Sequence, residues 1–64
     1  MAERYEVRGS TRALDVELSA DGTWAYTESK HGRMVGAGAG LGRAAVNEAI
    51  EGMRLDFPSL RRVH

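Results

Sequence analysis

Four glycines, at positions 36, 38, 40 and 42, precede a helix-like pattern, and phosphate-binding loops place their glycines at such a junction. The dinucleotide-binding fingerprint needs glycines at i, i+2 and i+5, but the i+5 position is Leu41 counted from Gly36 and Arg43 counted from Gly38. No run of the P-loop type is present. The glycines therefore do not predict nucleotide binding, although free N–H groups at the helix start, beside Arg43, could form a weak anion site.

A structural role explains the glycines better. On a strand, residues 36, 38 and 40 share one face, so a helix or an aromatic ring can lie close to the bare backbone. Glycine at 40 or 42 also permits a sharp change from strand to helix. We therefore expect Gly38→Val to prevent folding through steric exclusion.

Groups that could carry out catalysis are not arranged for it. No serine has a histidine and a carboxylate placed beside it by the sequence pattern. Asp15 and Glu17 could act as paired carboxylates, but the solvent side of an amphipathic strand explains both. Cysteine is absent, which excludes disulfides, thiolate metal ligands and cysteine nucleophiles. We predict no enzymatic activity, no catalytic residue, no cofactor and no metal site.

Basic side chains are the remaining candidates for a binding surface. Nine basic and nine acidic residues cancel, so the composition does not indicate the concentrated positive charge typical of nucleic-acid binding. A basic turn nevertheless lies at 30–33, and Arg43 lies at the start of the predicted helix. The predicted binding residues are Lys30, His31, Arg33, Arg43, Arg54, Arg61 and Arg62.

The elements that must position these groups begin with a hairpin. Apolar and polar residues alternate over 13–19, aromatic residues follow over 23–29, and Asp21-Gly22 between them is a strong turn signal. A three-residue loop at 20–22, with Gly22 left-handed, puts the apolar residues of both strands on one face, whereas a two-residue loop would separate them. We therefore predict the three-residue loop, with Leu18 opposite Trp24 and Val16 opposite Tyr26.

A second turn at 30–32 leads into a third strand, from Arg33 to about Gly38. Its register has two alternatives. A three-residue loop would place Gly36 opposite Tyr26 and Gly38 opposite Trp24, whereas a two-residue loop would place Ala37 and Ala39 there.

A helix is predicted from about Leu41 to Leu55, where apolar residues recur at helical spacing. Phe57-Pro58 should stop it at about Asp56. The tail 59–64 could form a last strand. The predicted core consists of Leu14, Val16, Leu18, Trp24, Tyr26, Val46, Ile50 and Met53.

These elements predict an α+β fold with a three-stranded antiparallel meander, one helix packed on it and a short C-terminal strand (β-β-β-α-β). Residues 13–64 form the single domain, and 1–12 form an N-terminal extension or a short extra strand. A chain of 64 residues has a thin core, so we predict that dimerisation completes the fold. The last strand could pair in its own sheet or be exchanged with a second copy, with Leu60 and Val63 in the dimer interface.

The order of turns and strands resembles the YegP-like family of small proteins of unknown function. The matching stretches are Asp21-Gly22, Trp24-Ala-Tyr26, His31-Gly32, Met34 to Gly38, and Ile50 to Pro58. The resemblance covers about residues 13 to 63. It implies a β3-α-β unit that occurs as tandem repeats or as two chains sharing one sheet, and hence a homodimer here.

A weaker resemblance is to the C-terminal half of a double-stranded-RNA-binding domain, in which three strands lead through G-x-G into an alanine-rich helix. The stretch Gly38-Ala-Gly40-Leu-Gly-Arg43-Ala-Ala is similar to that junction. The basic cluster of that family is reduced here to Arg43, and its first helix is absent.

The first hypothesis for function is a small non-enzymatic homodimeric interaction module that binds another macromolecule, in particular another protein. An accessory protein of a bacterium or phage that binds a host factor belongs to this class. The alternative is RNA binding through the helix start and the hairpin tip. The chain has no run of apolar residues long enough to span a membrane and begins with no secretory signal, so we expect a cytoplasmic protein without membrane contact.

Overall fold

The chain forms five strands and a single helix, and the helix is the stretch with helical periodicity. The structure is a computed structural model that describes all residues from Met1 to His64. The elements are β1 (Ala2–Val7), β2 (Arg12–Leu18), β3 (Trp24–Lys30), β4 (Arg33–Leu41), α1 (Arg43–Asp56) and β5 (Leu60–Arg62).

The five strands form one antiparallel sheet in the order β4-β3-β2-β1-β5. The helix packs on one face of this sheet, which confirms the predicted α+β class, the meander and the short C-terminal strand. Residues 1–12 contribute β1, which pairs with both β2 and β5, so the meander has four strands. No helix has the length and apolar character that a membrane crossing requires.

The first hairpin has the predicted register, with Leu18 opposite Trp24 and Val16 opposite Tyr26. The Ser19 N–H donates to the Thr23 carbonyl at 2.8 Å and closes a three-residue loop. Gly22, at φ 84°, occupies the left-handed conformation that this loop requires.

The second hairpin differs from both predicted registers. Its turn contains two residues, since Lys30 pairs with Arg33 and both His31 and Gly32 have positive φ, at 54° and 75°. A bulge then shifts the pairing, and Tyr26 lies opposite Gly38. The two-residue turn excludes the three-residue alternative, and the inserted residue moves the pairing by one position from the register that a two-residue turn alone would give.

The core lies between the helix and the sheet. Val46, Ile50 and Met53 line the inner face of the helix and are buried, as predicted. The cluster they belong to also contains Tyr5, Val7, Leu14, Val16 and Leu60.

Three predicted core residues lie toward the margin. Trp24 and Tyr26 are partly buried and pack against the cluster from its border. Leu18 is 37% exposed because it is the last residue of β2, at the end of the sheet, so its assignment to the core was wrong.

Candidate functional site

The two edges of the sheet differ in length and in charge. The β5 edge has three residues, of which Arg61 and Arg62 are exposed cations. The β4 edge has nine residues, and Arg33 at its start is the only charged one. Lysine or arginine on a short edge strand discourages pairing with another chain, and a long uncharged edge invites it. Only the β5 edge is protected in this way.

Apolar side chains are exposed along the β4 edge. Met34 is 64% exposed and Val35 is 51% exposed, and Ala37 and Ala39 are exposed as well. Register shifts on either side leave a regular stretch from Gly36 to Gly38, centred on Ala37. This stretch is the candidate site for strand pairing.

Gly38 has a specific packing role on this strand. A Cβ added there would lie 2.6 Å from Cε2 of Tyr26 and 3.1 Å from Cδ1 of Leu41. The Tyr26 ring therefore lies directly against bare backbone. The close neighbour is an aromatic ring, which is one of the two alternatives that the sequence left open.

A second candidate site lies at the end of the sheet where the β1–β2 and β3–β4 turns meet. The side chains of Thr11 and His31 connect these turns, with 2.8 Å between Oγ1 and Nδ1. Lys30 and Arg33 flank His31 and are exposed. This end of the molecule is therefore polar and basic.

Arg43, a predicted binding residue, is engaged at the other end of the sheet. Its guanidinium donates two hydrogen bonds to Glu3, at 2.9 and 3.0 Å, and one to Asn47 at 3.0 Å. The same guanidinium lies 4.6 Å from the centre of the Trp24 ring, as a cation–π contact. Arg43 therefore has few donors left for a partner.

Glu3 is the one buried charged residue, with 4% of its surface exposed. Hydrogen bonding from Arg43 holds the pKa of Glu3 below its ordinary value, although burial acts in the opposite direction. The Tyr5 hydroxyl donates a third hydrogen bond to Glu3, at 3.0 Å, and burial raises the pKa of Tyr5. The cluster joins the helix start to β1, which is a structural role.

The other predicted binding residues are dispersed. Arg54 forms an exposed ion pair with Glu51 on the helix. Arg61 and Arg62 lie on β5, and Arg62 donates to the His64 carbonyl at 2.7 Å. The structure therefore brings together only Lys30, His31 and Arg33 of the seven.

The predicted dimer-interface residues both belong to the C-terminal segment. Leu60 pairs with Val7 of the same chain and is 4% exposed within the core. Val63 is 36% exposed, and its N–H donates to the Arg4 carbonyl at 2.7 Å. Leu60 thus contributes to the core of its own chain.

Sequence reasoning missed Glu3 and Thr11. Both lie in residues 1–12, for which the prediction was an extension or a short extra strand, and their partners are 40 and 20 residues away in the chain. The signal that could have predicted this strand is the spacing of Glu3, Tyr5 and Val7, which places all three on one face. A glutamate at an inward position obscured it.

No group of three or more histidine or acidic side chains is close enough to hold a metal ion. No serine donates to or accepts from a histidine side chain.

Comparison with protein-family models, curated proteins and solved structures found no match for this chain. The two resemblances therefore stay predictions.

Proposed function

We propose that the protein is a non-enzymatic homodimeric interaction module whose two copies pair through the β4 edge. The observation that carries this proposal is the contrast between the edges: β5 is short and carries two arginines, whereas β4 is long and carries one charge at its start. An unprotected edge presents N–H and C=O groups to an added strand.

A second copy fits this edge because the sequence of β4 is compatible with its own antiparallel pairing. Centred on Ala37, such pairing places Ala37 opposite Ala37 and Gly36 opposite Gly38 of the other copy, within the regular stretch of the strand. No like charges meet in this stretch, since Arg33, the one charged residue of β4, lies outside it. The contact is isologous and closes after two copies.

The proposed dimer leaves the C-terminal strand in its own sheet. β5 pairs with β1, and Leu60 contributes to the core, so exchange would require opening a packed cluster. Edge pairing requires no such opening. It would extend the sheet to ten strands, with both helices on one face because the two-fold axis is perpendicular to the sheet.

The test is the molar mass in solution, measured by light scattering over a range of concentrations. The wild-type protein should approach twice the chain mass of 7.0 kDa as its concentration rises. Ala37→Lys should shift the protein to the mass of one chain, because two lysines would meet at the centre of the contact.

Ala44→Lys is the matched control, since Ala44 is also exposed but lies on the helix. It should leave the mass unchanged. A wild-type protein that keeps the mass of one chain at every concentration would overturn the proposal, and so would an Ala37→Lys variant that dimerises normally.

A further inference from the structure

Three cations lie side by side across neighbouring strands at the turn end of the sheet. Arg12 on β2 is opposite Lys30 on β3, and Lys30 is opposite Arg33 on β4. Like charges directly opposite each other on a sheet are destabilising. Departures from such local rules are expected at functional positions, where another requirement outweighs stability.

Only one of these cations is neutralised within the chain. Arg12 donates to Glu28 at 3.1 Å and lies over the Phe57 ring at 4.7 Å. Lys30 and Arg33 form no ion pair with any residue. Two adjacent positive charges are therefore available to an external anion.

The neighbouring turn adds hydrogen-bonding groups to these charges. Gly9, Ser10 and Thr11 line a hollow together with Lys30 and His31. A second hollow is lined by Lys30, His31, Arg33 and Val35. No carboxylate lines either hollow, and the Thr11–His31 contact holds the two turns at a fixed spacing.

We propose that this turn end binds the phosphate backbone of a nucleic acid without reading its sequence. Hydroxyl groups, an imidazole and two unpaired cations are the groups that contact phosphate oxygens. Two adjoining open hollows suit successive phosphates of a polymer better than one small anion. No phenylalanine, tyrosine or tryptophan side chain lines either hollow, so base stacking on such rings is not part of the contact.

The test uses a short fluorescein-labelled RNA duplex and measures its fluorescence anisotropy against the full-length protein at several salt concentrations. Lys30→Gln/Arg33→Gln should weaken binding at least tenfold at low salt and reduce the slope of log K against log salt by about 2. Its melting temperature should equal or exceed that of the wild type, because like charges no longer oppose each other.

Arg61→Gln/Arg62→Gln is the matched control, because it removes the same charge from the β5 edge. It should bind the duplex nearly as well as the wild type. A second duplex of different sequence should bind equally. No binding by the wild type, equal losses in both double variants, or displacement of the duplex by inorganic phosphate at constant ionic strength would each overturn the proposal. The molar mass of each variant, measured in parallel, shows whether the proposed dimer persists. A loss of RNA binding can then be distinguished from a loss of dimerisation.

Discussion

Arg43, the first residue of the helix, holds the carboxylate of Glu3 on β1 through two parallel hydrogen bonds, at 2.9 and 3.0 Å. The carboxylate side chain is 3% exposed, whereas the arginine side chain is 36% exposed. This pair fixes the start of the helix against a strand that lies 40 residues earlier in the chain. It is also the only ion pair with a fully buried member.

We therefore expect Arg43→Ala to lower the free energy of unfolding by about 2 to 3 kcal/mol, because it leaves a buried carboxylate without its counterion. Urea denaturation measures the change. Arg54→Ala is the control on the same helix. Its exposed pair with Glu51 is worth less than about 1 kcal/mol. Equal losses of unfolding free energy in the two variants would show that the Arg43–Glu3 contact stabilises the protein no more than an exposed ion pair does.

Stability should decrease in acid because of the same carboxylate. The pKa of Glu3 is lower in the folded state than its ordinary value of 4.5, so the unfolded chain binds the proton more readily. The contribution of Glu3 is therefore present above pH 4.5 and is lost as the pH falls through the folded-state pKa. Urea midpoints measured from neutral pH down to about pH 3 should show this loss.

Glu3→Gln should have a lower urea midpoint at neutral pH and a weaker dependence on acid. Glu48→Gln, at an exposed helix position, should keep the acid dependence of the wild type. A Glu3→Gln variant with the full wild-type decline would assign the acid sensitivity to other carboxylates.

Adding a methyl group at Gly38 should destabilise the protein by about 1 to 3 kcal/mol, because the Tyr26 ring must move away. Gly36→Ala is the matched control, since its nearest neighbour would be Glu28 Cβ at 3.8 Å, an ordinary contact. That variant should be neutral or slightly stabilising. Thermal melting of both variants measures the difference.

The cost at Gly38 should depend on the ring. In a Tyr26→Ala background, Gly38→Ala should lose most of its effect, because the closest atoms are gone and only the Leu41 side chain remains near the added methyl group. An undiminished cost in that background would mean that Leu41, rather than the ring, requires glycine at this position.

Leu60→Ala should destabilise the chain by about 2 to 4 kcal/mol, because it leaves a cavity beside Val7 and the helix. Val63→Ala, at a position 36% exposed, should cost less than about 1 kcal/mol. Light scattering on Leu60→Ala should still detect the dimer under native conditions if β4 forms the contact. Loss of the dimer in a folded Leu60→Ala variant would instead favour exchange of β5.

The features that could be predicted from the sequence are those that depend on residues close to one another in the chain. The register of the first hairpin follows from the left-handed Gly22 and from agreement between two apolar faces. The buried stripe of the helix follows from its periodicity, and Phe57-Pro58 marks its end. Each of these features depends on residues within a few positions of one another.

Features that depend on distant partners could not be predicted. Glu3 at an inward position is compatible with a strand only because Arg43 neutralises it. One register shift of β4 falls at Val35, between Met34 and Gly36, and the other falls between Gly38 and Leu41; no change of polarity marks the extra residue at either place. The basic turn at 30–33 was visible in the sequence, but the direct opposition of Lys30 and Arg33 depends on the length of the second turn, which the sequence left open.

The pairing of β5 with β1 brings the two chain ends together. The His64 carbonyl accepts a hydrogen bond from the Arg4 N–H at 3.3 Å. The last residue of the chain therefore lies beside the fourth, and the two chain ends are close in space. A short linker could join them, and a new start could be opened in the loop around Gly22 without moving any strand. The architecture is thus suited to circular permutation, in which the order of the strands along the chain changes while their neighbours stay the same.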